Sequence, residues 1–234
     1  MKKLIIRILE ILVLVIVSLL IQSCTEGSIY PTLPTDYSKN LLDSGYYPNN
    51  VGSYWSYEIS ISDSIPYVID TVDVRLVTNE IKADSSQFLT YNYHYYQFGD
   101  NDSVYEVLKK DTIERLNNPN ISFKSILIIP FSVGEIFIQM IIDSIYNSEQ
   151  ITIEMMVESY DSVFVKAGRF MAYKIVTTVT YQRFGDSPTY TREVLYFVPF
   201  IGFISVVNEF WDENNRRYFS KERWELMDFK IEKK

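Results

Sequence analysis

Trp55-Ser-Tyr-Glu-Ile-Ser-Ile-Ser62 places large side chains at every second position. Trp55, Tyr57, Ile59 and Ile61 keep one phase, and Ser56, Glu58, Ser60 and Ser62 keep the other. An extended chain sends successive side chains to opposite faces, so this stretch reads as a strand with one dry and one wet face. The same period recurs along the chain. Val72, Val74 and Leu76 alternate with Asp73, Arg75 and Val77, and Tyr91, Tyr93 and Tyr95 flank Asn92 and His94. Ile151, Ile153, Met155 and Val157 flank Thr152, Glu154 and, less regularly, Glu158, while Ile175, Thr177, Val179 and Tyr181 oppose Val176, Thr178 and Thr180. The β-branched and aromatic residues in these runs suit a pleated surface. Between them fall turn signals: Asp84-Ser85-Ser86, Gly99-Asp100-Asn101-Asp102, Asn117-Asn118-Pro119-Asn120, Lys166-Ala167-Gly168 and Gly185-Asp186-Ser187-Pro188. Gly, Asn and Asp tolerate positive φ and Pro fixes it, so each can reverse the chain. The expected fold is all-β: an antiparallel, strongly twisted sheet or half-barrel of hairpins, with little helix outside an amino-terminal signal segment. Ile136 to Tyr146 is the one stretch with some helical character, and it too is expected to be a strand.

The amino terminus obeys a different logic. Lys2, Lys3 and Arg7 precede the apolar run Ile11 to Ile21, interrupted by Ser18 and followed by Gln22-Ser23-Cys24. A basic start, a short apolar core and a small residue at the cut are the parts of a secretory signal. The run is shorter than the roughly 20 residues that span a bilayer. Ile21-Gln22-Ser23-Cys24 resembles the lipobox of bacterial lipoproteins. The resemblance implies cleavage between Ser23 and Cys24 and acylation of Cys24, the sole cysteine of the chain. An uncleaved anchor, or an ordinary signal peptide with an incidental cysteine, are the alternatives. Two or three acyl chains anchor stably where one does not. Cleavage would remove three basic residues and one acidic one, moving the net charge from −8 to −10. Residues 1–23 are therefore expected to be a signal peptide. Residues 24–45, with Pro31 and Pro34 and no clear period, are expected to be a lipidated tether, and residues 46–234 one β-rich domain. The expected location is the bacterial cell envelope, at the outer membrane, on either its periplasmic or its surface face.

Composition limits the chemistry. The 234 residues carry 22 Lys and Arg against 30 Asp and Glu, which argues against a phosphate-binding nucleic-acid surface. One histidine and one cysteine leave no thiolate zinc site, internal disulfide or Cys-x-x-Cys centre. Any histidine-based triad would have to use His94, which lies out of phase with its tyrosine neighbours and is expected to face solvent or a partner strand. Asp212 and Glu213 read as a solvated turn with Asn214 and Asn215. Asp100-Asn101-Asp102 lacks the remainder of a calcium loop. No phosphate-binding glycine motif occurs. No catalytic residue, metal site or cofactor is expected, and the chain is read as a non-enzyme. The anomaly is the aromatic load of 19 Tyr, 14 Phe and 3 Trp. Tyr91, Tyr93 and Tyr95 form a candidate aromatic binding face, because tyrosine joins a flat apolar ring to a polar tip. The alternative is that they simply fill a half-exposed sheet face.

Pro48-Asn-Asn-Val-Gly52 before Trp55 is echoed by Pro130-Phe-Ser-Val-Gly134 before Phe137. Shared turn chemistry accounts for this more simply than duplication. Three further pieces carry a family resemblance. Pro48 through Gly52 to Trp55 and Tyr57, Val165-Lys-Ala-Gly168-Arg-Phe170, and Tyr196 through Pro199 to Gly202 together resemble uncharacterised envelope lipoproteins of the Bacteroidota type. Those families are similar to the half-barrel of the outer-membrane lipoprotein carrier. The resemblance implies a curved sheet closing over one apolar face, a hairpin turn at Gly168, an inward Phe170 and a bend at Gly202, and it brings no active site. Two functions follow as expectations: a non-catalytic binding module for an apolar or amphiphilic ligand, or an interaction lipoprotein that docks another envelope protein. An envelope hydrolase ranks below both. The expected partners are the membrane, through acyl chains on Cys24, and that ligand or protein.

Overall fold

The computed structural model describes residues 45–61, 67–116, 124–144, 149–183, 188–213 and 215–232. Cys24, Ser23 and the segments expected to be signal and tether, apart from Gly45, lie outside these residues. Every regular element among the described residues is a strand, as the two-residue period requires. The first six are β1 (Tyr54–Ile61), β2 (Tyr67–Ile81), β3 (Gln87–Tyr95), β4 (Asn101–Leu108), β5 (Thr112–Leu116) and β6 (Lys124–Ile128). The second six are β7 (Ile136–Ser144), β8 (Glu149–Val165), β9 (Gly168–Arg183), β10 (Thr189–Val198), β11 (Gly202–Asp212) and β12 (Arg217–Lys230). The stretch from Ile136 is thus a strand and not a helix. All pairings are antiparallel, in the order β6-β5-β4-β3-β2-β1-β12-β11-β10-β9-β8-β7.

This order forces the sheet to curl. Twelve strands laid flat would span about 53 Å at about 4.8 Å per spacing. The two edge strands, β6 and β7, are nevertheless consecutive in the chain. The eight steps from Ile128 to Ile136 reach at most about 29 Å. The sheet is therefore a half-barrel whose edges are tied by a short link. The link is pinned at both ends: Ile129 N–H donates to the Asp111 carbonyl at 2.8 Å, and Gly134 N–H to the Val157 carbonyl at 2.8 Å. Between them Phe131 turns inward, buried against Phe197 (ring centroids 5.1 Å apart) and Tyr173 (5.8 Å).

The core lies on the concave face and takes one phase of each strand: Trp55, Tyr57 and Ile59; Val72, Val74 and Leu76; Leu89 and Tyr91; Leu195 and Phe197. A small second cluster of Val176, Val194 and Val207 sits apart from it, on the opposite phase of β9, β10 and β11. The β8–β9 hairpin extends beyond its neighbours and closes onto β12 and β1. Ala167 N–H donates to the Leu226 carbonyl at 2.9 Å, and Lys166 pairs with Glu58 at 2.6 Å. Its turn leads into Gly168 at φ 135°, Phe170 is buried, and Gly202 opens β11 at φ 102°. The three positions singled out by the family pattern therefore hold the structural roles expected of them.

The sequence echo is also a geometric one. Gly52 has φ 93° and Gly134 φ 85°, a region that side-chain-bearing residues avoid. Gly52 N–H donates to Leu76 and Leu76 N–H returns to Ser53; Gly134 N–H donates to Val157 and Val157 N–H returns to Glu135. Ser53 N–H closes a turn onto Asn50, as Glu135 N–H does onto Ser132. Each turn opens a six-strand meander, β1 to β6 or β7 to β12, and docks it on the long second strand. The likeness thus extends beyond turn chemistry to equivalent places in two halves of one sheet.

Candidate functional site

A curled sheet leaves a hollow, and the chemistry of this one depends on what fills it. The segment before β1 enters first. Tyr46 and Tyr47 are buried, with Tyr47 stacked at 6.0 Å on Phe197 and Tyr46 at 5.7 Å from the same ring. The β10–β11 turn meets this segment from the other side: Phe200 N–H donates to the Tyr46 carbonyl at 2.9 Å. Trp55 Nε1 donates to the Ile201 carbonyl at 2.6 Å, and the Tyr57 hydroxyl to the Phe203 carbonyl at 2.8 Å. Irregular backbone is thereby satisfied inside the shell by aromatic donors from β1.

At the centre is a charged pair. The register of the β4–β5 hairpin sets Glu106 directly opposite Arg115. Arg115 donates to Glu106 Oε1 from Nε at 3.0 Å and from Nη2 at 2.9 Å, and the Tyr47 hydroxyl donates to Oε2 at 2.6 Å. Glu106 is 2% exposed. The arginine also lies 5.5 Å from the Phe203 ring centroid. Around the pair, burial holds the hydroxyls of Tyr47, Tyr57 and Tyr91 well above the ordinary tyrosine range, the Glu106 charge adding to the effect. Tyr93 is pushed up to about 12, again mainly by burial. Glu193 in β10 is raised by desolvation and drawn back down by the Arg115 charge. What remains empty among Tyr47, Trp55, Tyr91, Glu106, Arg115 and Phe203 is about 40 Å³. A buried water needs roughly 10–15 Å³ on this measure, so the space suits two or three waters.

The expected aromatic face divides. Tyr91 is a core residue, buried and 6.1 Å from the Trp55 ring. Tyr93 and Tyr95 are half-buried and converge edge-on upon Trp224 of β12, at 6.3 and 6.2 Å, where Tyr57 also arrives at 6.0 Å. The three tyrosines therefore share a phase, but only Tyr93 and Tyr95 reach the surface. His94 is on the opposite phase, exposed, with Nδ1 2.8 Å from Asn101 Oδ1 and its ring against Tyr96. Asp212 accepts from Asn215 through both carboxylate oxygens, the turn expected of that sequence. Among the described residues no three metal-ligating side chains converge. A second hollow, of about 180 Å³, lies between Val163–Val165 and outward side chains of β9 to β12. Two of its three cations are already held: Lys174 by Glu158 at 2.5 Å and Arg192 by Glu209 at 2.6 Å.

Glu106, Arg115, Tyr47 and Trp224 were not among the residues expected at a site. Glu106 shares the phase of Leu108, and Arg115 that of Ile113. Opposite charges on the apolar phase of two strands joined at Lys109-Lys110-Asp111 are the signal that locates the pair.

No family model matches the sequence, and no curated protein matches it either. Solved structures do. One is described as a "putative lipoprotein" from Parabacteroides distasonis, with a TM-score of 0.53 at 12% identity over 79% of this chain and 98% of that one. Another is described as a "putative exported protein with YmcC-like fold" from Bacteroides fragilis, with a TM-score of 0.52 at 11% identity over the same shares. Both come from the bacterial group to which the sequence pattern pointed. What this chain shares with them is the fold, the curled antiparallel sheet called YmcC-like in the second.

Proposed function

We propose that this chain is a lipid-anchored, non-catalytic protein of the bacterial outer membrane that works by docking another envelope protein. The observation that supports docking over carriage is the filled interior. Tyr46, Tyr47, Phe131 and the β10–β11 turn occupy the hollow and leave about 40 Å³ beside an ion pair. Sites that hold drug-sized ligands offer about 300–1,000 Å³ and are mostly apolar. A carrier of acyl chains would need the plug to leave, breaking the Trp55, Tyr57 and Tyr47 hydrogen bonds together. The anchoring part rests on the lipobox-like Ile21-Gln22-Ser23-Cys24 and on the bacterial group of the two structural neighbours.

Native mass spectrometry of protein purified from membranes, followed by solvent extraction, tests the first part. The expected result is a mass explained by the polypeptide and its covalent acyl groups alone. One amphiphile per chain, surviving removal of detergent, would restore the carrier reading. Membrane fractionation tests the second. Cys24→Ser is expected to abolish incorporation of labelled palmitate and cleavage after Ser23. A precursor processed as before would remove the lipoprotein assignment.

A further inference from the structure

The outward face of a sheet ordinarily keeps its apolar side chains few and wet, yet Val194 and Val207 are 2% and 5% exposed there. Both line the hollow of about 180 Å³ whose other wall is Val163–Val165 at the end of β8. That wall is fixed in place, because the turn that follows it is tied to β12 by Ala167 and to β1 by Lys166. The charged side chains around the hollow are paired off, with two exceptions. Lys174 is held by Glu158 and Arg192 by Glu209, and Arg192 also lies 4.3 Å from the Tyr218 ring centroid. The side chains of Arg223 and Glu225, both in β12, line the same hollow and make no ion pair or hydrogen bond among the described residues, either with each other or with a neighbour. Two residues apart on one strand, they share a face, with Cα atoms about 7 Å apart. The register does not settle them either. Arg223 stands opposite Val207 and Ser60, and Glu225 opposite Ser205 and Glu58, a like charge already taken by Lys166. Arg223 is exposed and Glu225 half-buried, so the pair is open to a ligand from solvent.

Unclaimed charges of both signs decide what fits. A simple anion drawn to Arg223 meets the Glu225 carboxylate, and a simple cation drawn to Glu225 meets the guanidinium. A molecule carrying both charges satisfies both. We propose that this hollow binds a small zwitterion, its acid group on the Arg223 guanidinium, its ammonium on the Glu225 carboxylate and its apolar part against Val194 and Val207. Guanidinium suits the first role because it can hold an acid group through two parallel N–H bonds. The space falls below the roughly 300–1,000 Å³ of sites for drug-sized ligands, which limits the occupant to about the size of an amino acid. A free α-amino acid and the phosphoethanolamine head of a lipid share this chemistry. The inference goes beyond the docking function and stands whether or not another protein binds.

The test uses the full-length chain carrying Cys24→Ser in a non-ionic detergent at pH 7. L-Leucine, L-leucinamide, N-acetyl-L-leucine and O-phosphoethanolamine are titrated in by calorimetry. Saturable binding of leucine or of O-phosphoethanolamine is expected. Leucinamide, which lacks the acid, and N-acetyl-leucine, which lacks the ammonium, are expected to bind at least about tenfold more weakly than leucine. Arg223→Gln and Glu225→Gln should each weaken the zwitterion about tenfold. Arg223→Gln should also leave leucine and its amide bound alike, and Glu225→Gln leucine and its N-acetyl form. Tighter binding of O-phosphoethanolamine assigns the ligand to a lipid head, and tighter binding of leucine to a free amino acid. No saturable binding of either zwitterion, blocked forms that bind the parent as well as leucine does, or an affinity unmoved by both substitutions in variants with native circular dichroism overturns the proposal.

Discussion

Removing the arginine of the interior ion pair should cost about twice as much as removing both charges. Glu106 accepts two N–H bonds from Arg115 on one oxygen and the Tyr47 hydroxyl on the other. Arg115→Met leaves a carboxylate that is 2% exposed with a single neutral donor. Stranding a buried charge costs about 3–5 kcal/mol. The Arg115 side chain is 29% exposed and the adjoining space admits water, so the lower end, about 3 kcal/mol, applies. Glu106→Gln keeps the shape and leaves the arginine partly solvated, at a cost of about 1.5 kcal/mol. The double variant carries no net charge inside and should lose only about 1.5 kcal/mol relative to the parent. The coupling is then about 3 kcal/mol where additivity would predict none. In urea, with a slope of about 2 kcal/mol/M, Arg115→Met should lower the unfolding midpoint by about 1.5 M, and adding Glu106→Gln should recover about half of that. Chemical denaturation followed by tryptophan fluorescence reads this directly, since Trp55 lines the same space. Losses that add to within about 0.5 kcal/mol would refute the reasoning and mean that the two charges stabilise independently.

Phe131→Ala should destabilise by about 3–5 kcal/mol although it lies in a connection, because its ring is buried against Phe197 and Tyr173; a loss under about 1 kcal/mol in the same assay would mean that the link is not part of the core. Gly134→Ala should cost about 1–2 kcal/mol from its positive φ alone, and Gly52→Ala somewhat more, because its new methyl would also meet Glu232 Cγ at 3.2 Å; equal losses would count against the contact. Glu193 has a folded pKa raised above its ordinary value, so its contribution to stability is fully present below about pH 4.5 and is lost as pH rises through the folded value. Glu193→Gln should therefore stabilise the protein at neutral pH and make no difference in acid, as read from unfolding midpoints across that range. Absorbance titration of the folded protein should show Tyr93 ionising only near pH 12, and Tyr93→Phe should remove that late step without altering earlier ones.

How far the sequence alone could reach is clearest at particular residues. The alternation of Trp55, Tyr57 and Ile59 with serines and Glu58 determines strand and face together, because a one-residue slip would invert both. Tyr91, Tyr93 and Tyr95 were legible as one phase for the same reason. That Tyr91 is buried while Tyr93 and Tyr95 reach the surface was not, since the groups around them, Tyr47, Trp55 and Trp224, arrive from distant chain positions. Tyr46, Tyr47 and Phe131 stand in segments with no period, so no pattern marks them as the filling of the hollow. The Glu106–Arg115 pair was legible in principle, being two opposite charges in apolar phase across one turn. The partner of β1 was not: a meander specifies neighbours in sequence and leaves its two ends free to meet or not.

Why one junction closes and the other stays open can be argued from what arrives at each. The turns at Gly52 and Gly134 are alike in hydrogen bonding, so the difference lies in the strand that comes to meet the turn's own strand. β12 has 14 residues and packs Trp224, Leu226 and Phe229 into or against the core, enough to zip along all of β1. β6 has 5 residues, is spent pairing with β5, and hands over at once to a link that Phe131 draws inward beneath the Tyr46 hydroxyl. A closed ring of twelve strands would enclose a lumen that side chains of this chain would have to fill from its wall. Left open by one rung, the shell admits its own loops, and these fill the hollow.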